Sequence, residues 1–220
     1  MSFRADELRA VIFDLWDTLV DWPAEDWQLI KGKLADRMGI DPEPFDDLWN
    51  ATYWRRQTSP IRTAFEAMGA EPEAVEELVA LRAAFTRAGL RPRTGAVATL
   101  RTLRERGFRL GLISVCSEEV PLLWEETEFA GLFDSTVFSA TCGLRKPDAE
   151  IYLLACKELE IEPHEALFVG DGANDELAGA ERVGMRAVLI HRPGRQPHWP
   201  ELRDWPGLRI TAIPEVLELL

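Results

Sequence analysis

Apolar positions along the chain follow two different spacings. Short, nearly continuous apolar runs typical of buried strands are "RAVIFDLW", "FRLGLIS", "STVFSA", "ALFVGD" and "MRAVLIH". Between the first and second of these runs, residues 24–90 contain four segments with apolar positions at helical spacing: "AEDWQLIKGKLADRMG", "PEPFDDLWNATYWRR", "IRTAFEAMG" and "EPEAVEELVALRAAFTRAG". Each of these segments ends near a Gly or Pro. We therefore expect four helices inserted after the first strand.

Strands and helices alternate from residue 94 onward. The helices are predicted at about 118–129, 148–160 and 174–183, and the tail "RPGRQPHWPELRDWPG" reads as a loop. Strands connected through helices form parallel βαβ units. The sequence therefore predicts a doubly wound α/β sheet that is interrupted by a helical insertion.

Chemically reactive side chains occur where the predicted strands end. The first strand ends on Asp14, the "FRLGLIS" strand on Ser114 and the "ALFVGD" strand on Asp171, while Lys146 precedes a predicted helix. Ligands of open α/β sheets bind outside the carboxyl ends of the strands. If these strands are neighbours, one edge of the sheet brings together two carboxylates, a hydroxyl and an ammonium.

The charges of this group indicate a cation and a phosphoryl group. Crowded carboxylates repel each other unless a cation or a shared proton neutralises them. Oxygen ligands alone favour a hard cation such as Mg²⁺. A lysine, a hydroxyl and free backbone N–H groups together can hold phosphoryl oxygens.

Four motifs in order resemble those of the haloacid dehalogenase-like hydrolase superfamily: "DLWDT", "LISVCS", "RKP" and "VGDGANDELAGA". The resemblance spans residues 9 to 192, and the helical insertion lies between the first two motifs. It implies a Rossmann-like doubly wound parallel sheet with an inserted α-helical cap domain. The core domain would comprise residues 1–21 and 92–220 and the cap domain residues 22–91. Linkers near 20–24 and 90–94 would act as hinges.

The resemblance also implies which residues act on a phosphorylated substrate. Asp14 would be the nucleophile, which attacks phosphorus and forms an aspartyl-phosphate. Ser114 and Lys146 would hold the phosphoryl oxygens. Thr18 and the backbone after Trp16 would help to shape the phosphate pocket.

By the same resemblance, the cofactor would be Mg²⁺. The ion would be bound by Asp14, Asp171 and the main-chain carbonyl of Trp16. Asp175 would support the metal ligands or orient Lys146.

Trp16 departs from the phosphatase pattern. Phosphatases of this superfamily usually place an aspartate two residues after the nucleophile, where it serves as general acid and base, and an indole cannot transfer protons. Asp17 is one residue out of place and should project in a different direction. The metal-free 2-haloacid dehalogenases also place an aromatic residue here, because halide leaves unprotonated, but their fourth motif typically lacks the Gly-Asp found in "VGDGAND".

Three functions follow from these motifs. The fourth motif favours a Mg²⁺-dependent phosphatase that acts on a small molecule. The first alternative is a 2-haloacid dehalogenase that acts through an ester of Asp14, and the second is a weakly catalytic protein for binding or regulation.

The dehalogenase alternative would need an arginine to bind the carboxylate of its substrate, and candidates near the cap are Arg55, Arg56, Arg62, Arg91 and Arg93. The cap aromatics Trp22, Trp27, Trp49, Tyr53 and Trp54 are expected mainly to pack, although Trp22 lies near a hinge.

The amino-acid composition limits the kinds of binding partner that we expect. The 220 residues carry a net charge of −13, with a pI near 4.8, which disfavours nucleic acid or an anionic membrane as partner. The three cysteines form no CxxC motif and indicate free thiols in a reducing compartment. No apolar run approaches about 20 residues. We expect a cytoplasmic protein whose partner is a small phosphorylated or, in the alternative, halogenated molecule.

Overall fold

The computed structural model describes residues 7–191 and 200–220. Half of the predicted tail loop, residues 192–199, therefore lies outside the described residues. Within the described residues, six strands form one sheet: β1 (Ala10–Phe13), β2 (Arg109–Ser114), β3 (Ser135–Phe138), β4 (Ala166–Gly170), β5 (Arg186–Ile190) and β6 (Leu208–Ile210). The same residues contain ten α-helices: α1 (Ala24–Met38), α2 (Pro42–Ala51), α3 (Tyr53–Thr58), α4 (Ile61–Ala67), α5 (Pro72–Gly89), α6 (Ala96–Glu105), α7 (Glu119–Leu123), α8 (Ser139–Cys142), α9 (Ala149–Glu158) and α10 (Glu176–Arg182).

All strand pairs of the sheet are parallel, in the order β3-β2-β1-β4-β5-β6. This order confirms the predicted Rossmann-like doubly wound sheet. Strand β1 is central, and Val11 lies opposite Leu110 of β2 and Leu167 of β4. The order therefore places the ends of β1, β2 and β4 side by side.

Helices cover both faces of the sheet, which explains why its strands read as continuous apolar runs. Side chains alternate along β1, so Val11 and Phe13 join one buried cluster, while Ala10 and Ile12 join the other. These four residues have no exposed surface. The central strand is thereby fixed from both sides, and so is the residue that follows it.

The insertion between β1 and β2 contains five helices, α1 to α5, rather than the predicted four. The segment "PEPFDDLWNATYWRR" is divided at Thr52, whose hydroxyl donates to the carbonyls of Leu48 and Trp49 at 3.0 and 3.1 Å. A side-chain hydroxyl bonded in this way competes with the backbone bonds of a continuing helix. The insertion has its own buried cluster, which includes Phe45 and Phe65.

Other predicted elements are shorter than expected. The predicted helix at 118–129 is α7 followed by a 3-10 turn at Trp124–Glu126. It ends where the Thr127 hydroxyl donates to the Trp124 carbonyl at 2.7 Å and accepts from the Phe129 N–H at 3.2 Å. The predicted strand "STVFSA" ends at Phe138, because Ser139 begins α8. Strand β6 lies in the apolar segment after the predicted loop.

The two connections between sheet and insertion pair with each other. Val20 forms an antiparallel bridge with Pro92. Arg93 donates from Nη1 to the carbonyls of Asp17 and Thr18, each at 2.9 Å. The predicted hinges are therefore adjacent, while the division into domains at residues 22 and 92 remains a prediction. None of the described helices is long and apolar enough to cross a membrane.

Candidate active site

Asp14 occupies the centre of the sheet edge. It follows β1, and its N–H donates to the Val169 carbonyl of β4 at 2.9 Å. Its side chain is only 8% exposed. Because β1 lies between β2 and β4, the strand order brings Asp171 close to this carboxylate, as the sequence predicts.

Lys146 bridges two buried carboxylates. Its Nζ lies 2.5 Å from Asp14 Oδ1 and also donates to Glu176 Oε2. One oxygen each from Asp14, Asp171 and Glu176 lie within 4.8 Å of one another. The sheet edge therefore holds three carboxylates and one ammonium, and if all are ionised the group carries two net negative charges.

Burial makes this excess of negative charge costly. Burial and the neighbouring Asp14 raise the pKa of Asp171 to about 7. Burial also raises the pKa of Glu176 well above its usual range, although the Lys146 ammonium opposes that shift. Burial lowers the pKa of Lys146, but the carboxylates of Asp14 and Glu176 outweigh it and keep the lysine charged. Without a cation the group favours extra protons, so its donor set fits a divalent ion.

Glu176 is the site residue that the sequence analysis missed. The structure does not bring Asp175 to Lys146: its carboxylate accepts from Arg182 at 3.2 Å on the surface, and its side chain is 66% exposed. Asn174 and Asp175 both have left-handed backbone (φ 54° and 55°), so α10 begins only after them, at Glu176. This turn directs the next acid, Glu176, at the lysine.

The backbone around Glu176 holds it in place. Its Oε1 accepts from the Gly172 N–H at 2.9 Å, while Oε2 accepts from Lys146. A Cβ on Gly170 would lie 2.1 Å from Oε1, so any other residue there would displace the Glu176 carboxylate. Both carboxylate oxygens of Glu176 are thus engaged, which indicates an orienting role for this residue.

Two predicted substrate contacts lie deeper than expected. Ser114 and Thr18 have no exposed surface, and their hydroxyl oxygens have no hydrogen-bond partner among the described residues. The neighbouring Cys116 faces the cavity above the sheet edge. Burial raises the pKa of its thiol to about 12, so it is unsuited to act as a nucleophile.

A cavity of about 800 Å³ lies between the sheet edge and the inserted helices. Asp14, Lys146 and Asp171 line it from the sheet side. From the inserted helices and their connection it is lined by aromatic residues, namely Trp22, Trp27, Trp49 and Tyr53. Its volume is that of a pocket for a small organic molecule.

Trp16 lines the same cavity and packs edge-on against Trp22, with ring centroids 5.2 Å apart. Asp17 also lines the cavity, but its Oδ1 accepts from the Trp22 N–H at 3.1 Å. Its backbone is left-handed, with φ 55°. Asp17 thus helps to fix the start of the connection to the inserted helices.

The parallel sheet and the acidic site at its central strand are typical of one enzyme family. The chain belongs to the haloacid dehalogenase-like hydrolases, because the sequence model of that family matches residues 8–184. It is therefore a hydrolase.

Relatives within this family differ in their named reactions. A glyceraldehyde 3-phosphate phosphatase of Methanopyrus kandleri is 29% identical, over 97% of each chain. An (S)-2-haloacid dehalogenase 4A of Burkholderia cepacia is 28% identical, over 88% of this chain and 87% of that one. The crystal structure of a HAD phosphatase from Thermococcus onnurineus superimposes with a TM-score of 0.73 at 22% identity, covering 96% of this chain and 97% of that one. Because its sequence identity is low, this structural similarity shows only that the two proteins share a fold.

Proposed function

We propose that this hydrolase is a Mg²⁺-dependent phosphatase of small molecules that acts through an aspartyl-phosphate on Asp14. The observation that carries the proposal is the buried group of Asp14, Asp171, Glu176 and Lys146. Its two excess negative charges match one divalent cation. The similarity to a phosphatase over nearly the whole chain supports the same function.

In the first step, an Asp14 carboxylate oxygen attacks phosphorus, and the ester oxygen leaves with its bonding electrons. The Lys146 ammonium holds the attacking carboxylate in place. Since Glu176 binds Lys146 and the Gly172 N–H, it fixes where the ammonium points. Lys146 and Ser114 would also bind the phosphoryl oxygens, and Thr18 would shape the pocket floor.

In the second step, water attacks phosphorus, so phosphate is released and the Asp14 carboxylate is restored. The residues that would hold the metal ion are Asp14, Asp171 and the main-chain carbonyl of Trp16. The chemistry supplied by bound Mg²⁺ is neutralisation of charge at the phosphoryl oxygens. The inserted helices would serve as a cap that excludes water from the cavity.

Trp16 favours a second candidate, a 2-haloacid dehalogenase. In that reaction Asp14 attacks carbon, halide leaves without a proton, and water hydrolyses the ester. No general acid is required where the indole lies. Without a metal ion, Asp171 would carry a proton, and its raised pKa permits this.

A screen of substrates with and without metal ion separates these functions. The enzyme is incubated with phosphate esters, acyl phosphates and 2-haloacids, each in excess Mg²⁺ and in excess chelator. The phosphatase proposal predicts phosphate release that stops in chelator and returns with Mg²⁺. Halide release in chelator would establish the dehalogenase, and no turnover in any condition would favour the binding or regulatory alternative.

The proposed place of action is the cytoplasm. The three cysteines are free, and two of them, Cys116 and Cys156, are buried. Free thiols fit a reducing compartment. The proposed partner is a small phosphorylated metabolite, because the cavity suits one and the acidic chain disfavours nucleic acid.

A further inference from the structure

Two arginines of the inserted helices line the active-site cavity, although the protein is strongly acidic overall. They are Arg56 on α3 and Arg82 on α5, and each is only 5% exposed. The sequence indicates Arg56 as a candidate for binding a substrate carboxylate, whereas no sequence signal distinguishes Arg82. A buried guanidinium normally has its charge paired and its donors bonded, so the partners of both residues matter.

The donors of Arg82 are incompletely used. Its Nη2 donates to Ser117 Oγ at 3.3 Å, and its Nε forms an ion pair with Glu119 Oε1 at 3.2 Å. Its Nη1 is buried and has no hydrogen-bond partner among the described residues. An unpaired buried donor is unfavourable, and because Arg82 lines the cavity, an anion bound there would supply an acceptor to this guanidinium.

The Arg56 guanidinium has hydrogen-bond acceptors but no carboxylate partner. Its Nη1 donates to Thr52 Oγ1 at 2.8 Å and to the Trp49 carbonyl. Its guanidinium lies 3.8 Å from the centre of the Trp49 ring, and that of Arg82 lies 5.6 Å from the same indole. Among the described residues, no carboxylate lies within ion-pair distance of Arg56. Burial and repulsion by Arg82 lower the pKa of Arg56 to about 9.

We propose that Arg56 and Arg82 form a second anion-binding subsite, which binds a carboxylate on the leaving group of the substrate. This inference rests on the proposed phosphatase function and specifies its substrate class. Two guanidinium groups and the Glu119 carboxylate leave one net positive charge, which matches a carboxylate better than a dianionic phosphate. Guanidinium also fits the planar geometry of a carboxylate. The substrate is thus a compact phosphate ester of a hydroxy acid, and its carbon skeleton packs against Trp22 and Trp49.

Matched pairs of aryl phosphates test the subsite. The 3- and 4-carboxyphenyl phosphates, whose carboxylates cannot reach the ester oxygen and catalyse its departure, are compared with the corresponding carboxamides in excess Mg²⁺. The amide withdraws electrons more strongly and gives the better leaving group, so leaving-group chemistry favours the amide. We expect kcat/KM for at least one carboxylate to exceed that of its amide by about tenfold or more.

Variants assign this preference to the arginines. Arg56→Gln and Arg82→Gln should each bring the carboxylate-to-amide ratio of kcat/KM close to about one. Arg82→Gln leaves Glu119 without its cation, so the double variant Arg82→Gln/Glu119→Gln is included to keep the buried charge balanced. Arg62→Gln is the matched control, because Arg62 pairs with Glu76 on the exposed surface of α4 and should leave the ratio unchanged.

Failure of the subsite and failure of the phosphatase function give different results. Hydrolysis of carboxylates and amides with equal kcat/KM would overturn the subsite and leave the phosphatase intact. If no phosphate is hydrolysed, titration calorimetry with benzoate and benzamide decides. Binding of benzoate that exceeds that of benzamide and is lost in Arg82→Gln/Glu119→Gln would support the subsite, and equal binding would overturn it.

Discussion

The Nζ of Lys146 lies 2.5 Å from Asp14 Oδ1, although the two residues are 132 positions apart in the chain. Both side chains are almost fully buried. The ion pair brings the third motif of the sequence to the end of the central strand. It places a permanent positive charge beside the carboxylate that is proposed to attack the substrate, so the remaining site residues act around this pair.

Glu176 and Asp175 should respond very differently to substitution. Glu176→Gln removes the carboxylate that holds Lys146, and we expect kcat to fall by roughly 10–100-fold, the range seen for outer partners of catalytic sites. Asp175→Asn, the adjacent control, removes only a surface pair with Arg182 and should retain most activity, because exposed pairs contribute little. Steady-state kinetics of the two variants provides the comparison. Equal losses would contradict the assignment of Glu176.

Stability in chelator should decrease as pH rises. The pKa of Asp171 is raised in the folded state from 3.8 to about 7, so the folded state binds this proton more tightly than the unfolded state does. The stabilisation by this proton is fully present below pH 3.8 and is lost as the pH rises from 3.8 to about 7. The free energy of unfolding should fall by roughly 2–4 kcal/mol over this range. Mg²⁺ should offset the loss by binding the folded state.

Urea unfolding at about pH 5 and about pH 8, with and without Mg²⁺, measures this effect. Asp171→Asn is the control, because its amide does not titrate, so the variant should lose less stability than the wild type as pH rises; Glu176, whose pKa is also raised, contributes the remainder in the same direction. If the variant lost as much stability as the wild type between the two pH values, another group would be responsible.

Trp16 should limit which leaving groups the enzyme expels. A positioned general acid contributes ~10²–10⁴-fold to the expulsion of an alkoxide. With an indole at this position, alkyl phosphates should react far more slowly than aryl or acyl phosphates. Since the same indole cannot activate water, the aspartyl-phosphate should decay slowly. The first turnover should then release a burst of leaving group.

Trp16→Asp should raise turnover of alkyl phosphates more than that of aryl phosphates, whereas Trp16→Phe, the matched aromatic control, should keep the wild-type ratio. Stopped-flow measurement of nitrophenol release gives the burst. Equal alkyl and aryl turnover in the wild type, without a burst, would show that another group supplies the proton. Asp17 would be examined first, because it lines the same cavity.

The sequence predicts the sheet and three of the four charged residues at its edge. Strands that end on Asp14 and Asp171 are recognisable from their apolar runs, and the parallel connection makes their ends meet. Glu176 could not be predicted, because its direction depends on two consecutive left-handed residues, Asn174 and Asp175. The only signal was a further acid directly after Asp175.

The sequence predicts less of the site where the inserted helices line the cavity. Arg82 lies within a long amphipathic helix, where helical spacing alone cannot distinguish a residue facing the cavity from one facing solvent. Its partner Glu119 is on α7, far away in the sequence, so their ion pair depends on how the inserted helices pack on the sheet. The division of the second predicted helix at Thr52 likewise depends on a local hydroxyl contact that helix propensity does not record.

Direct detection of a phosphoryl group on Asp14 tests the central claim. The enzyme is mixed with an aryl phosphate and Mg²⁺, quenched in acid during the burst, and analysed by intact mass and peptide mapping. The account predicts that one phosphoryl group is carried by the peptide containing Asp14, and that it is absent in chelator and in Asp14→Asn, which should retain less than about a tenth of wild-type turnover. Sustained phosphate release with no phosphoryl group on Asp14, or an undiminished Asp14→Asn variant, would contradict it.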